Sequence, residues 1–177
     1  MGKNLNDELL VRDHRHLVHS LHNEKTHLDG KVWVKGEGCE LIDADGQRFI
    51  DAMSGLWNVT LGYSQPTLVA AAAAQMGTLA YASGYAGSSN LQAMALGERL
   101  AGLTYPNINR FFFTSGGGES IDTAAKLSRA YWAAVGKPDK HVVISRRFAY
   151  HGSNAYGTSL GGMAALTDIY GRLVSED

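Results

Sequence analysis

The run Ser115-Gly116-Gly117-Gly118-Glu119 carries the strongest chemical signal in this 177-residue chain. Before it stands the apolar run Phe111-Phe112-Phe113-Thr114, which suits a buried strand. After it Ile121, Ala124, Ala125, Ser128, Trp132 and Val135 recur at i, i+3, i+4, i+7, i+11 and i+14, one face of a helix that Gly136 and Pro138 stop. The glycines therefore sit at a strand-to-helix turn. There the N–H groups that open the helix have no partner within it, and the macrodipole is positive. The chemistry on offer is the docking of a phosphate dianion, which glycine lets the backbone approach closely. A plain turn with no ligand is the simpler reading of the glycines taken alone.

Other reactive residue types are weaker signals. His14, His16, His19, His22 and His27 cluster near the N-terminus, and His16, His19 and His22 recur every three residues. No cysteine, HExxH or carboxylate trio completes a metal shell around them, so they read as a polar helix face. Cys39 is the single cysteine; it cannot form an intrachain disulfide, and no base stands beside it in sequence, so it reads as a structural thiol. Phe148-Ala149-Tyr150-His151-Gly152 follows a second β-branched run, His141 to Ser145. The right-handed crossover rule makes this run parallel to the first, and both then end on the carboxyl edge of one sheet, where open α/β folds bind ligands.

The elements that must position these groups can be read in order. Leu5 to His22 is predicted as an N-terminal helix, with Leu9, Leu10, Leu17, Val18 and Leu21 about one turn apart. Lys31 to Ala52 is predicted as a small antiparallel unit, because Asp45-Gly46 between Ile42 and Phe49 is a hairpin signal. Ser54 to Tyr63 has no clear period, so Trp57 is either a core anchor or the aromatic wall of a pocket. Pro66 opens an alanine-rich helix ending near Gly77; a Tyr, Gly and Ser-rich loop with Tyr85 follows, and then a helix over 91–103. The net charge is −1, with no long basic run, which gives no footing for nucleic acid or a membrane surface. No signal peptide or bilayer-length apolar stretch is present, and the expected location is the cytoplasm.

The ordered segments GEGCELIDADGQRFIDAMSGLWNVTLGY, TSGGGESIDTAAKLSRAYW, YHG and GTSLGG resemble the class III pyridoxal phosphate aminotransferases of the ω-aminotransferase type. The likeness runs from about Val32 onward and corresponds to the N-terminal portion of that family. It implies an α/β fold, the N-terminal part of a fold type I PLP-dependent transferase: a large, mostly parallel sheet flanked by helices, with an N-terminal helix and a small antiparallel unit belonging to the small domain. Residues 1–60 would contribute to the small domain, and 61–177 would form the first part of the PLP-binding domain. The implied cofactor is pyridoxal phosphate. The family's phosphate-binding Ser-Gly-Ser/Ala falls on Gly116, Gly117 and Gly118, followed by the matching Glu119, so the phosphate is left to backbone N–H groups and Ser115. One missing hydroxyl contact costs about 1 kcal/mol of affinity. Tyr150 matches the aromatic residue stacked on the pyridine ring, with His151 and Gly152 beside it. Trp57 matches a wall of the substrate pocket, and Tyr85 another from a loop that in the family reaches the dimer interface.

The resemblance further implies amino-group transfer from an ω-amine or ω-amino acid to a 2-oxo acid such as pyruvate, in a homodimer or larger assembly. It implies neither a metal nor a nucleic-acid partner. Lys126 matches a helix residue of the family, and the other six lysines lie in the N-terminal unit or polar turns. The Schiff-base lysine and the aspartate that pairs the pyridine nitrogen are expected beyond Asp177, so no catalytic residue is assigned here and the chain alone is expected to be inactive. A same-fold decarboxylase or aminomutase would share the cup and the stacking aromatic. A non-catalytic phosphate- or nucleotide-binding or structural α/β piece is the reading from a different class. Neither the P-loop spacing nor GxGxxG follows the strand.

Overall fold

A computed structural model of the chain describes residues 4–20, 30–168, 170, 171, 173 and 174. It divides into two compact units, Met1–Asn90 and Leu91–Asp177. His22 and His27 of the histidine series, and Lys3 and Lys25, lie outside the described residues.

In the first unit, helix α1 spans Leu5–His16. Asn4 caps it by accepting the Asp7 N–H, and Asp7 and Glu8 complement the positive end of the dipole. The helix is shorter than the predicted 5–22: Leu17 turns extended at φ −117° and ψ 142°. Leu17 and Val18 are exposed, so no packed face supports further turns, and propensity alone does not extend a helix. His19 instead folds back onto Asp13 at 2.7 Å. No group of three metal-ligating side chains occurs among the described residues.

The antiparallel unit forms as predicted. Strands β1 (Trp33–Glu37), β2 (Glu40–Asp43) and β3 (Arg48–Ile50) make a three-stranded meander in the order β1-β2-β3. Gly46 takes φ 79° in the β2–β3 connection, as the Asp-Gly pair requires. Trp33 and Phe49 pack edge to face, 5.4 Å between ring centres. Asn6 docks α1 on this sheet. Its buried side chain donates to the Gly30 carbonyl at 3.1 Å and accepts the Val32 N–H at 2.8 Å, while its own N–H reaches Asp45. Asn6→Ala strands two part-buried backbone groups and is expected to destabilise this unit by about 1–3 kcal/mol, read from the urea midpoint.

After β3 the chain makes α2 (Ser54–Trp57), a single turn of the wrong hand: φ is 50° at Ser54, 57° at Gly55, 58° at Leu56 and 65° at Trp57. Left-handed backbone costs a residue with a Cβ about 1–2 kcal/mol. Helix α3 (Pro66–Thr78) then starts on proline, ends close to the predicted Gly77, and buries none of its residues.

The second unit holds α4 (Leu91–Ala101), α5 (Gly117–Ala134), α6 (Ala155–Leu160) and α7 (Ala164–Thr167). Helix α5 is the predicted one, and Gly136 at φ 77° follows its end. The apolar runs over 111–114 and 141–145 differ from expectation. Neither carries strand pairing among the described residues, and the one sheet is the meander of the first unit. A strand exists only through a ladder partner, which periodicity cannot supply. Phe112, Val142 and Ile144 accordingly stay exposed.

Candidate functional site

The helix side of the glycine turn has the geometry that the sequence suggested, although the run before it is not a paired strand. Gly116 is the N-cap of α5 in extended backbone at φ −169°, and no side chain caps the helix. The N–H groups of Gly117, Gly118 and Glu119 therefore open the helix without an intrahelical partner. Space is free around Gly116 and Gly117, where an added Cβ would meet nothing within 4 Å. The Thr114 and Ser120 hydroxyls lie within hydrogen-bond distance of each other and of the Gly116 carbonyl, at 3.1 and 3.2 Å, and share their two protons over these contacts. These bonds fix the loop as it enters the helix.

Ser115 is not a spare donor. Its N–H reaches the Glu119 carboxylate at 2.9 Å, and its hydroxyl donates to the same oxygen. The hydroxyl first, then the N–H, hold the Glu119 carboxyl below its usual range, and Lys126 adds to this against the opposing effect of burial. Glu119 thus folds back to the mouth of the turn, which its place in the sequence does not reveal.

The segment Tyr150-His151-Gly152 comes to the same helix start. Gly152 sits at φ 108°, and a Cβ there would lie 2.5 Å from the Gly118 Cα. Only glycine allows the two backbones to touch in this way. A Cβ built on Gly118 itself would lie 3.1 Å from Asn154 Oδ1. Asp122, one turn into α5, ties the two pieces together: it accepts the Gly157 N–H at 3.1 Å and the Asn154 amide at 3.4 Å. Sequence reading missed Asp122 and Asn154 because their partners are more than 30 residues away. Tyr150 is 64% exposed and His151 half-buried.

A half-open cavity of about 510 Å³ also lies in this unit, beside Arg129, His141, Val142, Tyr156, Ser159 and Thr167. No glycine of the cup lines it, nor does Tyr150.

The two proposed pocket walls lie in the first unit. Trp57 is 76% exposed on the left-handed turn, so it is not a core anchor there. Asp51 accepts the Met53 N–H at 3.1 Å, the Gly55 N–H at 2.6 Å and the Tyr63 hydroxyl at 2.6 Å. The Tyr63 hydroxyl is the main reason the Asp51 carboxyl stays below its usual range, and the Gly55 and Met53 N–H groups reinforce it against burial. Tyr63 is pushed up in turn. Tyr85 is fully exposed in an irregular loop, its N–H on the Ser83 hydroxyl at 3.2 Å.

Lys31 and Lys35 pair with Asp43 and Glu37, and Lys137 and Lys140 lie over the Trp132 ring. Lys126, three turns into α5, bears on Glu119 by its charge.

The arrangement offers an uncapped helix start with open space before it, an aromatic and a histidine on the segment that touches it, and a carboxylate at its rim. Its donor chemistry fits a phosphate monoester, since the free groups are N–H donors at a positive helix end.

Comparison with known proteins shows the family of the chain. The family described as aminotransferase class-III matches residues 21–172. The chain is 39% identical to the beta-alanine–pyruvate aminotransferase of Pseudomonas aeruginosa over 88% of its own length and 34% of that protein's. Among solved structures it is similar to a transaminase from the marine bacterium Virgibacillus, with a TM-score of 0.91, 35% identity, and coverage of 96% of this chain and 39% of that one. It is also similar to an amine transaminase from an uncultivated Pseudomonas species, solved in the PLP-bound form: TM-score 0.86, 34% identity, 90% of this chain and 37% of that one. The architecture is therefore that of a fold type I transaminase, over part of its length. The chain spans about a third of the length of the curated relatives it matches, and it belongs to the class III aminotransferase family.

Proposed function

We propose that this chain forms the phosphate-holding part, and one side of the amine pocket, of a pyridoxal phosphate-dependent ω-aminotransferase. The enzyme would move an amino group from an ω-amine or ω-amino acid to a 2-oxo acid such as pyruvate. The reading is supported by the family membership and by the name of a relative that acts on beta-alanine, an ω-amino acid. One observation carries it: the backbone contact of Gly152 with Gly118 at the uncapped start of α5.

In this reading the N–H groups of Gly117, Gly118 and Glu119 hold the phosphate, and Gly116 leaves its approach open. Ser115 adds its hydroxyl as a donor once that hydroxyl is released from Glu119. Tyr150 covers one face of the pyridine ring with His151 beside it, and Trp57 and Tyr85 wall the amine pocket. When bound, the cofactor supplies the electron sink through which an amine loses its α-proton and passes on its nitrogen. The division into a small-domain part over 1–60 and a cofactor-domain part over 61–177, assembly as a homodimer, and a cytoplasmic location belong to the same proposal. No described helix is long and apolar enough to cross a membrane.

Titration calorimetry with pyridoxine 5′-phosphate and with pyridoxine tests the cup, since neither ligand has an aldehyde that would modify lysines. The phosphate ester is expected to bind saturably, to be displaced by inorganic phosphate, and to bind about fivefold tighter to Gly118→Ser. The added hydroxyl contributes about 1 kcal/mol, and the flexible Asn154 side chain yields the few tenths of an ångström that a Cβ needs. Equal binding of the two ligands would reject the reading.

A further inference from the structure

We infer that Asp51 is the positioning residue for Trp57: with Tyr63 and Asn58 it holds the left-handed turn that presents the indole, an inference whose functional meaning rests on Trp57 as a pocket wall. Ser54, Leu56 and Trp57 are not glycines, yet all take positive φ in succession around Gly55. Such a run persists only where surrounding bonds over-determine it.

Both polar edges of the turn are held. On the N–H side, one carboxylate oxygen of Asp51 takes Met53 and the other takes Gly55. On the carbonyl side, the Asn58 amide donates to Gly55 at 2.9 Å and to Leu56 at 3.1 Å. The Trp57 N–H closes onto the Met53 carbonyl at 2.9 Å.

Asp51 is itself anchored to the sheet. Its N–H bonds the Cys39 carbonyl at 2.9 Å, and its carboxylate takes the Tyr63 hydroxyl. Tyr63 and the adjacent Ser64 are tied to β1 and to Gly38 just past its end. The Tyr63 N–H reaches the Gly38 carbonyl at 2.7 Å; its ring lies where a Cβ on Gly36 would stand, 2.6 Å from Cγ; and the Ser64 hydroxyl next to it bonds the Gly36 carbonyl at 2.8 Å. A continuous path thus runs from β1 through Tyr63 and Asp51 to the indole. Gly55 completes it, since a Cβ there would press on Val59 at 2.9 Å and on the Tyr63 hydroxyl at 3.2 Å.

The test uses the whole chain with Trp33→Phe and Trp132→Phe, so that Trp57 is the sole indole. Time-resolved anisotropy is measured with and without Asp51→Asn and Tyr63→Phe. Amide exchange at the paired residues Lys35 and Ile42 reports whether the sheet is intact. The expected result is a local mobility of Trp57 that at least doubles in Asp51→Asn and rises in Tyr63→Phe, with sheet protection kept, and that returns to the starting value in neither. Unchanged anisotropy in both variants overturns the inference. If Asp51→Asn loses the sheet, Tyr63→Phe decides alone, because its ring keeps the contact with Gly36 and only the hydroxyl is gone. No cofactor or amine enters this measurement, so its failure is separate from a failure of the pyridoxine phosphate titration, which bears on the function alone.

Discussion

Gly152→Ala is expected to cost the C-terminal unit about 3 kcal/mol or more and, on the proposed function, to abolish phosphate-dependent ligand binding. Two penalties add. A residue with a Cβ at φ 108° sits in backbone territory that costs about 1–3 kcal/mol. The new Cβ also falls 2.5 Å from the Gly118 Cα, against backbone that has no rotamer with which to escape. Overpacking of that kind costs about 1–3 kcal/mol. Relief requires the 150–152 segment to leave the start of α5, which would break the bonds from Asp122 to Gly157 and Asn154. Urea unfolding followed by circular dichroism measures the loss, and faster exchange of the Gly157 amide locates it. Gly117→Ala is the control: it lies inside the helix with open space around it, so it is expected to gain up to about 1 kcal/mol. Equal effects of the two substitutions would mean that the Gly118–Gly152 contact is not what holds this site.

The second large effect is expected at the other end of the chain, from the fully buried Asp43. Burial by itself pushes its carboxyl up. The Gln47 N–H at 2.8 Å, the Lys31 ammonium at 3.3 Å and the Asp45 N–H at 3.1 Å outweigh that and leave it below the ordinary value. With the folded pKa depressed, the unfolded chain binds the proton more readily. The stabilisation from Asp43 is therefore complete above about pH 3.8, the ordinary value, and is lost as the pH falls through the lower folded value. The N-terminal unit is expected to unfold in acid below that point, and Asp51, depressed in the same direction, adds to the same transition. Asp43→Ala leaves two backbone N–H groups and the lysine without their acceptor, so its drop in urea midpoint at neutral pH is expected to exceed several-fold that of an exposed substitution, typically within about 0.5 kcal/mol. Asp43→Asn keeps one acceptor oxygen for both N–H groups and is expected to fall between the two while flattening the acid transition. An acid profile identical in Asp43→Asn and the unmodified chain would refute the assignment.

These two results divide along the line between local and tertiary information. The glycine turn was legible because a strand-like run, three glycines and a helical period are written within one stretch of chain, and α5 begins at Gly117 as that pattern requires. The hairpin was legible for the same reason: Asp45-Gly46 sets its own turn chemistry, and β2 and β3 pair across it. The right end of α1 was not, because Leu17 and Val18 continue the apolar period but find nothing to pack on. Nor was the lack of strand pairing in the runs over 111–114 and 141–145 among the described residues, since a ladder needs partners that local pattern cannot name.

The site divides in the same way. Sequence by itself determined that the turn opening α5 would offer backbone rather than hydroxyl groups, because Gly116, Gly117 and Gly118 have no such side chains, and that Tyr150 and His151 would follow the second apolar run. Only the tertiary structure decided that Gly152 touches Gly118, that Glu119 occupies the donors of Ser115, and that Asp51 reaches forward to Gly55 and across to Tyr63. Residue type states which bonds a group is able to make, whereas which of them it makes depends on what the fold brings within 3 Å, and for Asp122 and Asp51 the competing partners lie on segments that periodicity places independently.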